Sequence, residues 1–401
     1  MSQHLATTAT RAGIGRDRHH NAVVPPIHLS ANYAFPSFGV KGAYDYTRSG
    51  NPTRDLLAEA IAELEGGEAG IITATGMAAV TLVLQLVGRG ERVIAPHDCY
   101  GGTWRLLDAL HRRGLLEVTF VDQRDSAALD RAFLRPAKLL WIETPSNPLL
   151  RVTDIAALAA RGRAAGALVV ADNTFLSPVL QRPIVLGAAL VIHSTTKYLN
   201  GHSDVVGGAV VAADKALGEE LKWWANCLGV TASPFDSWLT LRGLRTLSAR
   251  IRQHEWNAAE LVSVLDGHPA VRKVWWPGLT GHPGHDIARR QQSGYGAMVS
   301  FELHDGESAV RSFVDGLRHF TLAESLGGVE SLVAHPATMT HASMSADARR
   351  TAGISDSLLR LSVGIEDPRD LVVDVEQALD RALLSASSAL SASPGRLAPV
   401  R

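Results

Sequence analysis

Lys197 lies in the stretch HSTTKYLNGHSDVVGG, residues 193–208, among residue types that could do chemistry with it. The run before it, AALVI at residues 188–192, is apolar and strand-like, whereas Asn200, Gly201, Gly207 and Gly208 break any regular element. The lysine is therefore expected at a strand end, entering a turn-rich loop. Taken alone, Lys197 reads as an ordinary solvated surface lysine. Ser194, Thr195 and Thr196 change that reading. Small hydroxyls and backbone N–H groups make a phosphate cradle, and an amine partly withdrawn from water can form a Schiff base with an aldehyde. Pyridoxal 5'-phosphate carries both groups on one ring. Its use as an electron sink demands an acid that keeps the pyridine nitrogen protonated. Asp172 meets that demand. The segment ALVVA, residues 167–171, reads as a buried parallel strand, and Asp172, Asn173 and Thr174 follow at its end, where open α/β sheets place ligand-binding residues.

These residues need a scaffold, and the chain shows one. AGIITAT (69–75), RVIAPHD (92–98), EVTFVD (117–122), KLLWIE (138–143), ALVVAD (167–172) and AALVIH (188–193) are strand-like and separated by helix-length segments, the signature of a parallel sheet in an α/β fold. Gly76 and Met77 open a helix directly after the first of these runs. Free N–H groups and the helix dipole favour an anion there, which makes both residues candidate phosphate contacts; the alternative is a glycine that serves only the turn. A long helical run, residues 242–265, leads into a segment containing YGAMVSFEL (295–303) and the helical DPRDLVVDVEQALDRALL (367–384). The expected organisation is an arm over residues 1–50, a cofactor-binding large domain over 51–245, a C-terminal domain over 246–385 and a low-complexity, disordered tail over 386–401.

Composition narrows the partners. Among 401 residues, 39 are basic and 40 acidic, with no basic stripe or acidic tail, which argues against nucleic acid and membrane surfaces and for a small-molecule substrate. Cys99 and Cys227 are the only cysteines and lack a CxxC or Cys/His spacing, so neither a disulfide framework nor a metal site is expected, and a reducing cytoplasm fits. The N-terminus has no apolar signal core, and no stretch reaches the roughly 18 apolar residues needed to span a bilayer. No P-loop occurs, and Gly13, Ile14 and Gly15 lack the third glycine and preceding strand of a dinucleotide fold. His97, Asp98 and Cys99 are consecutive, and strand neighbours point to opposite faces, so they do not make a triad by sequence proximity.

Around Lys197 and Asp172, a series of ordered blocks resembles the transsulfuration branch of the pyridoxal-phosphate enzymes, the cystathionine γ-synthase and lyase family. They are YDYTRSGNPTR (44–54), TGMAAV (75–80), HDCYGGTWRL (97–106), ETPSNPLL (143–150), VVADNTFLSP (169–178), HSTTKYLNGHSDVVGG (193–208) and AESLGGVESLVAHPATMTH (323–341). Only the arm before about residue 20 and the tail after about 385 fall outside the resemblance. It implies a fold-type I, aspartate-aminotransferase-like architecture: a mostly parallel sheet in the large domain and a smaller α+β C-terminal domain. It also implies Tyr100 over the cofactor ring, where a phenol could help move protons, and Asn147 near the ring oxygen or the substrate. Tyr46 and Arg48 would reach the cofactor phosphate of a neighbouring subunit, which suits the planar arginine fork, and the assembly would be a homotetramer of two tight dimers.

Arg360 stands inside the strand-like LLRLSVGIED, where an unpaired charge is costly and an anion is needed. The resemblance makes that anion the substrate α-carboxylate, with Ser325 nearby; a structural pair with Glu366 or Asp367 is the alternative. Arg105 would receive the distal carboxylate of a succinyl ester, and Glu324 would accompany γ-chemistry; both could instead be helix-surface charges. Together with Arg105, WWANCLGVTASPFDSWLTLRGLRTL (223–247) resembles the bacterial γ-synthase branch, although Cys227 stands where an asparagine is expected. The implied reaction is γ-replacement of O-succinyl-L-homoserine by L-cysteine, giving L-cystathionine and succinate in methionine biosynthesis. Lys197 would hold the cofactor, be displaced by the substrate amine, and then act as base. A cystathionine γ-lyase would share Lys197, Asp172, Tyr100 and Arg360, a homoserine-ester sulfhydrylase is a further neighbour, and a non-catalytic pyridoxal-phosphate-binding protein is the reading from another class.

Overall fold

Asn51 fixes the start of the first long helix in the computed structural model, which describes residues 4–342 and 346–391. That helix, Pro52–Glu65 (α2), follows a short one, Leu5–Thr10 (α1). The Asn51 side chain accepts the Thr53 and Arg54 N–H groups at 2.9 and 3.2 Å, and Pro52 sits where no donor is needed. Gly66, at φ 80°, ends α2 in the left-handed conformation that glycine adopts without strain.

Seven strands then form one sheet: β1 (Ala69–Thr73), β2 (Arg92–Pro96), β3 (Glu117–Val121), β4 (Leu139–Glu143), β5 (Leu168–Asp172), β6 (Leu190–His193) and β7 (Gly208–Ala212). Their order is β1-β7-β6-β5-β4-β2-β3. Strands β2 to β6 pair in parallel, while β7 lies antiparallel to both β6 and β1. The sheet is mostly parallel, as the alternation of runs predicts. β7 is the strand that the sequence reading missed, because Gly207 and Gly208 read as breakers. Gly208 is required by space: a Cβ there would lie 2.3 Å from the Thr75 carbonyl oxygen.

Helices cover both faces. Val170, Leu190 and Ile192 pack with Val83 of the helix Gly76–Leu84 (α3) and Leu107 of the helix Gly101–Arg112 (α4). On the other face Val191, Ala209 and Val211 pack with Leu57, Ile61 and Leu64 of α2. This alternation decides which strand-end side chains meet the site and which lie behind it.

The helical run expected over 242–265 is broken: one helix spans Pro234–Leu244, the next Leu247–Leu265. The Gly243 carbonyl accepts the Thr246 N–H at 3.1 Å and also Thr246 Oγ1 and Arg250 Nη2 at 3.1 and 2.9 Å, so side chains reinforce the turn between the two helices. A second sheet follows in the order β10-β11-β12-β9-β8, from β8 (Val271–Trp275), β9 (Met298–Leu303), β10 (Thr321–Leu322), β11 (Leu332–Ala334) and β12 (Leu358–Ser362). Its core centres on Phe301, fully buried and edge-on to Phe313 at 5.3 Å, with Leu359, Leu361, Val375 and Leu379 around it. Phe301→Ala should destabilise the protein by about 3–5 kcal/mol, because the surrounding sheet cannot collapse into the space left. A lowered denaturant midpoint measures it.

The ends differ from expectation in part. α1 puts Ala9 into the same apolar layer as Leu57 and Leu244, while residues 17–50 carry only isolated bridges and expose Val23, Leu29, Phe35 and Phe38. The last helix runs over Pro368–Ser391, past residue 385 where a disordered tail was expected. Alanine and leucine in the run LLSASSALS keep helix propensity that far. Residues 392–401 of that expected tail lie outside the described residues. Among the described residues no helix is long and apolar enough to cross a membrane.

Candidate active site

A cavity of about 610 Å³ opens beyond the carboxyl ends of the parallel strands, where β2 and β4 send the chain in opposite directions across the sheet. It is lined by Gly76, Met77, Tyr100, Arg105, Asn147, Asp172, Ser194, Thr196, Lys197, Glu324, Ser325 and Arg360. Of the residues singled out around Lys197 and as candidate site residues, Thr195, Tyr46 and Arg48 do not line it.

Lys197 sits in the turn after β6, and its Nζ donates to Ser325 Oγ at 2.7 Å. Burial lowers the amine from 10.5 to about 8; Arg360 pushes the same way and Glu324 opposes. Ser325 has φ 93°, a strained value for a serine, and its neighbours hold it there: Arg360 Nη2 donates to the Ser325 carbonyl at 2.9 Å. Arg360, on β12 and 3% exposed, also donates through Nη1 to Asn147 Oδ1 at 2.8 Å. Glu366 is engaged by Ser331 at 2.7 and 2.8 Å, and Asp367 by Arg369 at 2.6 Å. The structural pair considered for Arg360 is therefore absent. Its hydrogen bonds go to neutral oxygens, its Nε has no partner among the described residues, and burial lowers it to about 10, which leaves a buried cation suited to an anionic ligand.

The acid side is built from two strand ends. Asp172 on β5 is in register with Glu143 on β4, and Asp172 Oδ1 accepts the Thr174 N–H at 3.0 Å. Burial raises both carboxyl groups, and mutual repulsion adds to the rise of Glu143, which lies well above its usual range. The Thr174 bonds oppose the rise of Asp172, as the Tyr100 N–H opposes that of Glu143. Glu143 Oε2 accepts the Tyr100 N–H at 2.7 Å and so anchors the start of α4. Glu143 is the site residue that the sequence reading missed. Its signal was the same as that of Asp172, an acid closing an apolar strand.

At the opposite end, Gly76 starts α3, with Thr75 Oγ1 accepting the Ala78 N–H at 2.9 Å. A Cβ on Gly76 would lie 2.9 Å from Ser194 Cβ, so the serine packs directly over the helix N-terminus. Thr196 Oγ1 accepts the Gly207 N–H at 2.9 Å and lines the same corner. Helix N–H groups and hydroxyls form a cradle for a dianion, a buried amine stands where an aldehyde would react, and Asp172 offers an acid to a ring nitrogen. The residues present fit pyridoxal phosphate.

A family model described as Cys/Met metabolism PLP-dependent enzyme matches residues 6–380. The chain belongs to this family. It is thus a pyridoxal-phosphate-dependent enzyme. It is 54% identical over 377 residues to the cystathionine gamma-synthase of Escherichia coli (strain K12), covering 94% of this chain and 98% of that one. It is also 46% identical over 374 residues to the cystathionine gamma-lyase of Bacillus subtilis (strain 168), covering 93% and 98%. A cystathionine gamma synthase from Xanthomonas oryzae pv. oryzae, solved in complex with aminoacrylate and cysteine, matches with TM-score 0.95 and 60% identity, covering 96% of this chain and 100% of that one.

Tyr46 and Arg48 stand apart from the Lys197 cavity. Arg48 Nη1 donates to the Asn226 carbonyl and side-chain oxygens at 2.8 and 2.7 Å, and its guanidinium lies 5.6 Å from the Tyr46 ring centroid. Arg48 lines a second cavity together with Arg54, Asp55 and Lys222, so one chain alone does not bring this pair to its own cradle.

The lowered Lys197 amine has a measurable consequence for cofactor loading. Only the neutral amine attacks an aldehyde, so colour formation on adding pyridoxal phosphate to the cofactor-free enzyme should quicken about tenfold per pH unit. The increase should level off near pH 8, where burial has placed the amine. Stopped-flow absorbance checks it. A rate still climbing through pH 10 contradicts the buried environment.

Proposed function

We propose that this enzyme is a cystathionine γ-synthase, acting on O-succinyl-L-homoserine and L-cysteine. The observation that carries the reading is a pair of arginines on one cavity, Arg360 and Arg105, with Lys197 in the same lining. Two guanidiniums match a substrate that carries a carboxylate at each end. The γ-synthase relatives from E. coli and X. oryzae support the same choice.

Bound pyridoxal phosphate supplies an electron sink for the carbon that loses its proton. Gly76, Met77, Ser194 and Thr196 hold the phosphate, Asp172 holds the ring N–H, and Tyr100 covers the ring and excludes water. Arg360, braced by Asn147 and the Ser325 carbonyl, fixes the substrate α-carboxylate. Lys197, neutral above about pH 8, removes the Cα proton and then shuttles protons between Cα and Cβ, with Ser325 Oγ holding the amine between steps. Arg105 takes the distal carboxylate, and Glu324, which lines the same cavity, accompanies the departure of the leaving group. In sum the Cγ–O bond breaks, succinate leaves, and the cysteine sulfur forms the Cγ–S bond. Tyr46 and Arg48 reach the phosphate held by a neighbouring copy, which requires a dimer and allows a tetramer of two dimers. We place the reaction in the cytoplasm, where Cys99 and Cys227 remain free thiols.

A γ-lyase is the second reading, supported by the B. subtilis relative. One paired assay on the holoenzyme separates them. The expected result is rapid cystathionine formation from O-succinyl-L-homoserine and cysteine, with little 2-oxobutanoate released from cystathionine. Dominant release would overturn the synthase reading and with it the assignment of Arg105.

A further inference from the structure

Lys197 sits on a turn whose two ends are held by different parts of the molecule. The front end belongs to the first sheet: the Ser194 N–H donates to Thr174 Oγ1 at 2.9 Å, and Thr196 Oγ1 accepts the Gly207 N–H at 2.9 Å. Within the turn the Asn200 N–H reaches the Thr195 carbonyl at 3.0 Å, and the Gly201 N–H reaches the Lys197 carbonyl at 2.8 Å. The back end rests on the junction between the helices Pro234–Leu244 and Leu247–Leu265. Two glycines allow that approach. A Cβ on Gly243 would lie 2.2 Å from the Asn200 carbonyl oxygen, and one on Gly201 would lie 2.1 Å from Arg250 Nη1.

Arg250 joins the turn to the junction. Its Nη1 donates to the Tyr198 carbonyl at 2.8 Å, its Nη2 to the Gly243 carbonyl at 2.9 Å and its Nε to Thr246 Oγ1 at 3.1 Å. Arg250 is 5% exposed and each of these acceptors is neutral, an arrangement in which a cation is costly to bury. Burial accordingly lowers its guanidinium to about 10. What the cation does there follows from the Tyr198 carbonyl. Tyr198 is 1% exposed, and among the described residues Arg250 is the one donor to that oxygen. A buried carbonyl stripped of its donor is driven to find another, and this one belongs to the residue directly after Lys197. We propose that Arg250 is a positioning residue for Lys197: it fixes the back of the turn and thereby aims Nζ at Ser325 and at the cofactor's aldehyde. The proposal rests on the reading of Lys197 as the residue that attaches the cofactor. Arg250 does not line the cavity and acts only through the turn. The phosphate cradle is independent of it, since Ser194 and Thr196 are anchored at the front end, to Thr174 and Gly207.

That division between front and back gives the test, a double-mutant cycle on pyridoxal-phosphate affinity. Cofactor retained after equilibrium ultrafiltration is measured for the wild type, Arg250→Met, Lys197→Ala and the double variant. Arg250→Met should bind the cofactor about tenfold more weakly than the wild type. Added to Lys197→Ala, the same change should alter affinity by less than about twofold, because the amine through which Arg250 acts is gone. Weakening of similar size in both backgrounds marks a residue that only supports the fold and overturns the proposal, as does no weakening in either. If Arg250→Met does not fold, Arg250→Gln, which keeps one donor for the carbonyls, goes through the same cycle under the same rule. Borohydride reduction of the holoenzymes, followed by the mass of the intact chain, separates this proposal from the reading beneath it. Cofactor still fixed covalently in Lys197→Ala places the attachment elsewhere, and both fall. Cofactor fixed in the wild type but not in Lys197→Ala, with similar weakening by Arg250→Met in both backgrounds, keeps Lys197 in its role, and this proposal alone fails.

Discussion

Lys197→Ala should turn over its substrates at least about 10⁴-fold more slowly than the wild type, because the proposed mechanism asks one side chain for both the covalent attachment point and the proton shuttle. The geometry makes the loss hard to replace. Nζ is buried, lowered to about 8 and held at 2.7 Å by Ser325 Oγ, so it is both nucleophilic and aimed before any ligand arrives. Other cavity groups do not offer a neutral amine at that position. Arg105 and Arg360 carry planar guanidinium groups and no amine, and Tyr100 is 46% exposed at the rim. The variant should still bind pyridoxal phosphate, more weakly and with the spectrum of the free aldehyde, because Asp172, Ser194 and the α3 N-terminus remain. Steady-state kcat and the absorption spectrum measure the two halves. A near-normal rate would remove Lys197 from the mechanism.

Arg360→Met should lower kcat/KM by about a hundredfold to a thousandfold, since the proposed role of Arg360 makes it one partner of a desolvated pair with the substrate carboxylate. Most of the loss should fall on KM, because the carboxylate is bound equally before and during the proton transfers. Some should fall on kcat, because Arg360 also bonds the Ser325 carbonyl and Asn147 and thereby shapes the seat of the Lys197 amine. Arg360→Lys keeps the charge but cannot serve Asn147, Ser325 and a carboxylate with one planar fork, so it should recover only part of the loss. Measured kcat and KM for the three proteins check the division. Equal KM values would show that the carboxylate is held elsewhere.

Much of this was legible in the sequence because the residues concerned close apolar strands. Asp172 after LVVA and Lys197 just beyond LVIH are polar groups at points where a buried run stops, and in a parallel sheet those points share one edge. Gly76 was legible for a related reason: a strand that turns at once into a helix presents free N–H groups there. Glu143 carried the same signal and was passed over, since nothing local distinguishes a cofactor acid from a backbone anchor. β7 was lost because its entry glycine answers to a carbonyl of Thr75, far away in sequence.

Residue types and periodicity therefore determined the sheet, its loaded edge and the cofactor that the edge can hold, because these follow from local alternation and from where polar groups interrupt it. The tertiary structure alone decided the pairings across long separations. Arg360 meets Asn147, Lys197 meets Ser325, Glu65 lies under His193, and Arg48 turns toward Asn226 and not toward its own cradle. Such contacts depend on how helices and the second sheet pack against the first, and packing is set by the summed shape of whole faces, which no short stretch of sequence contains.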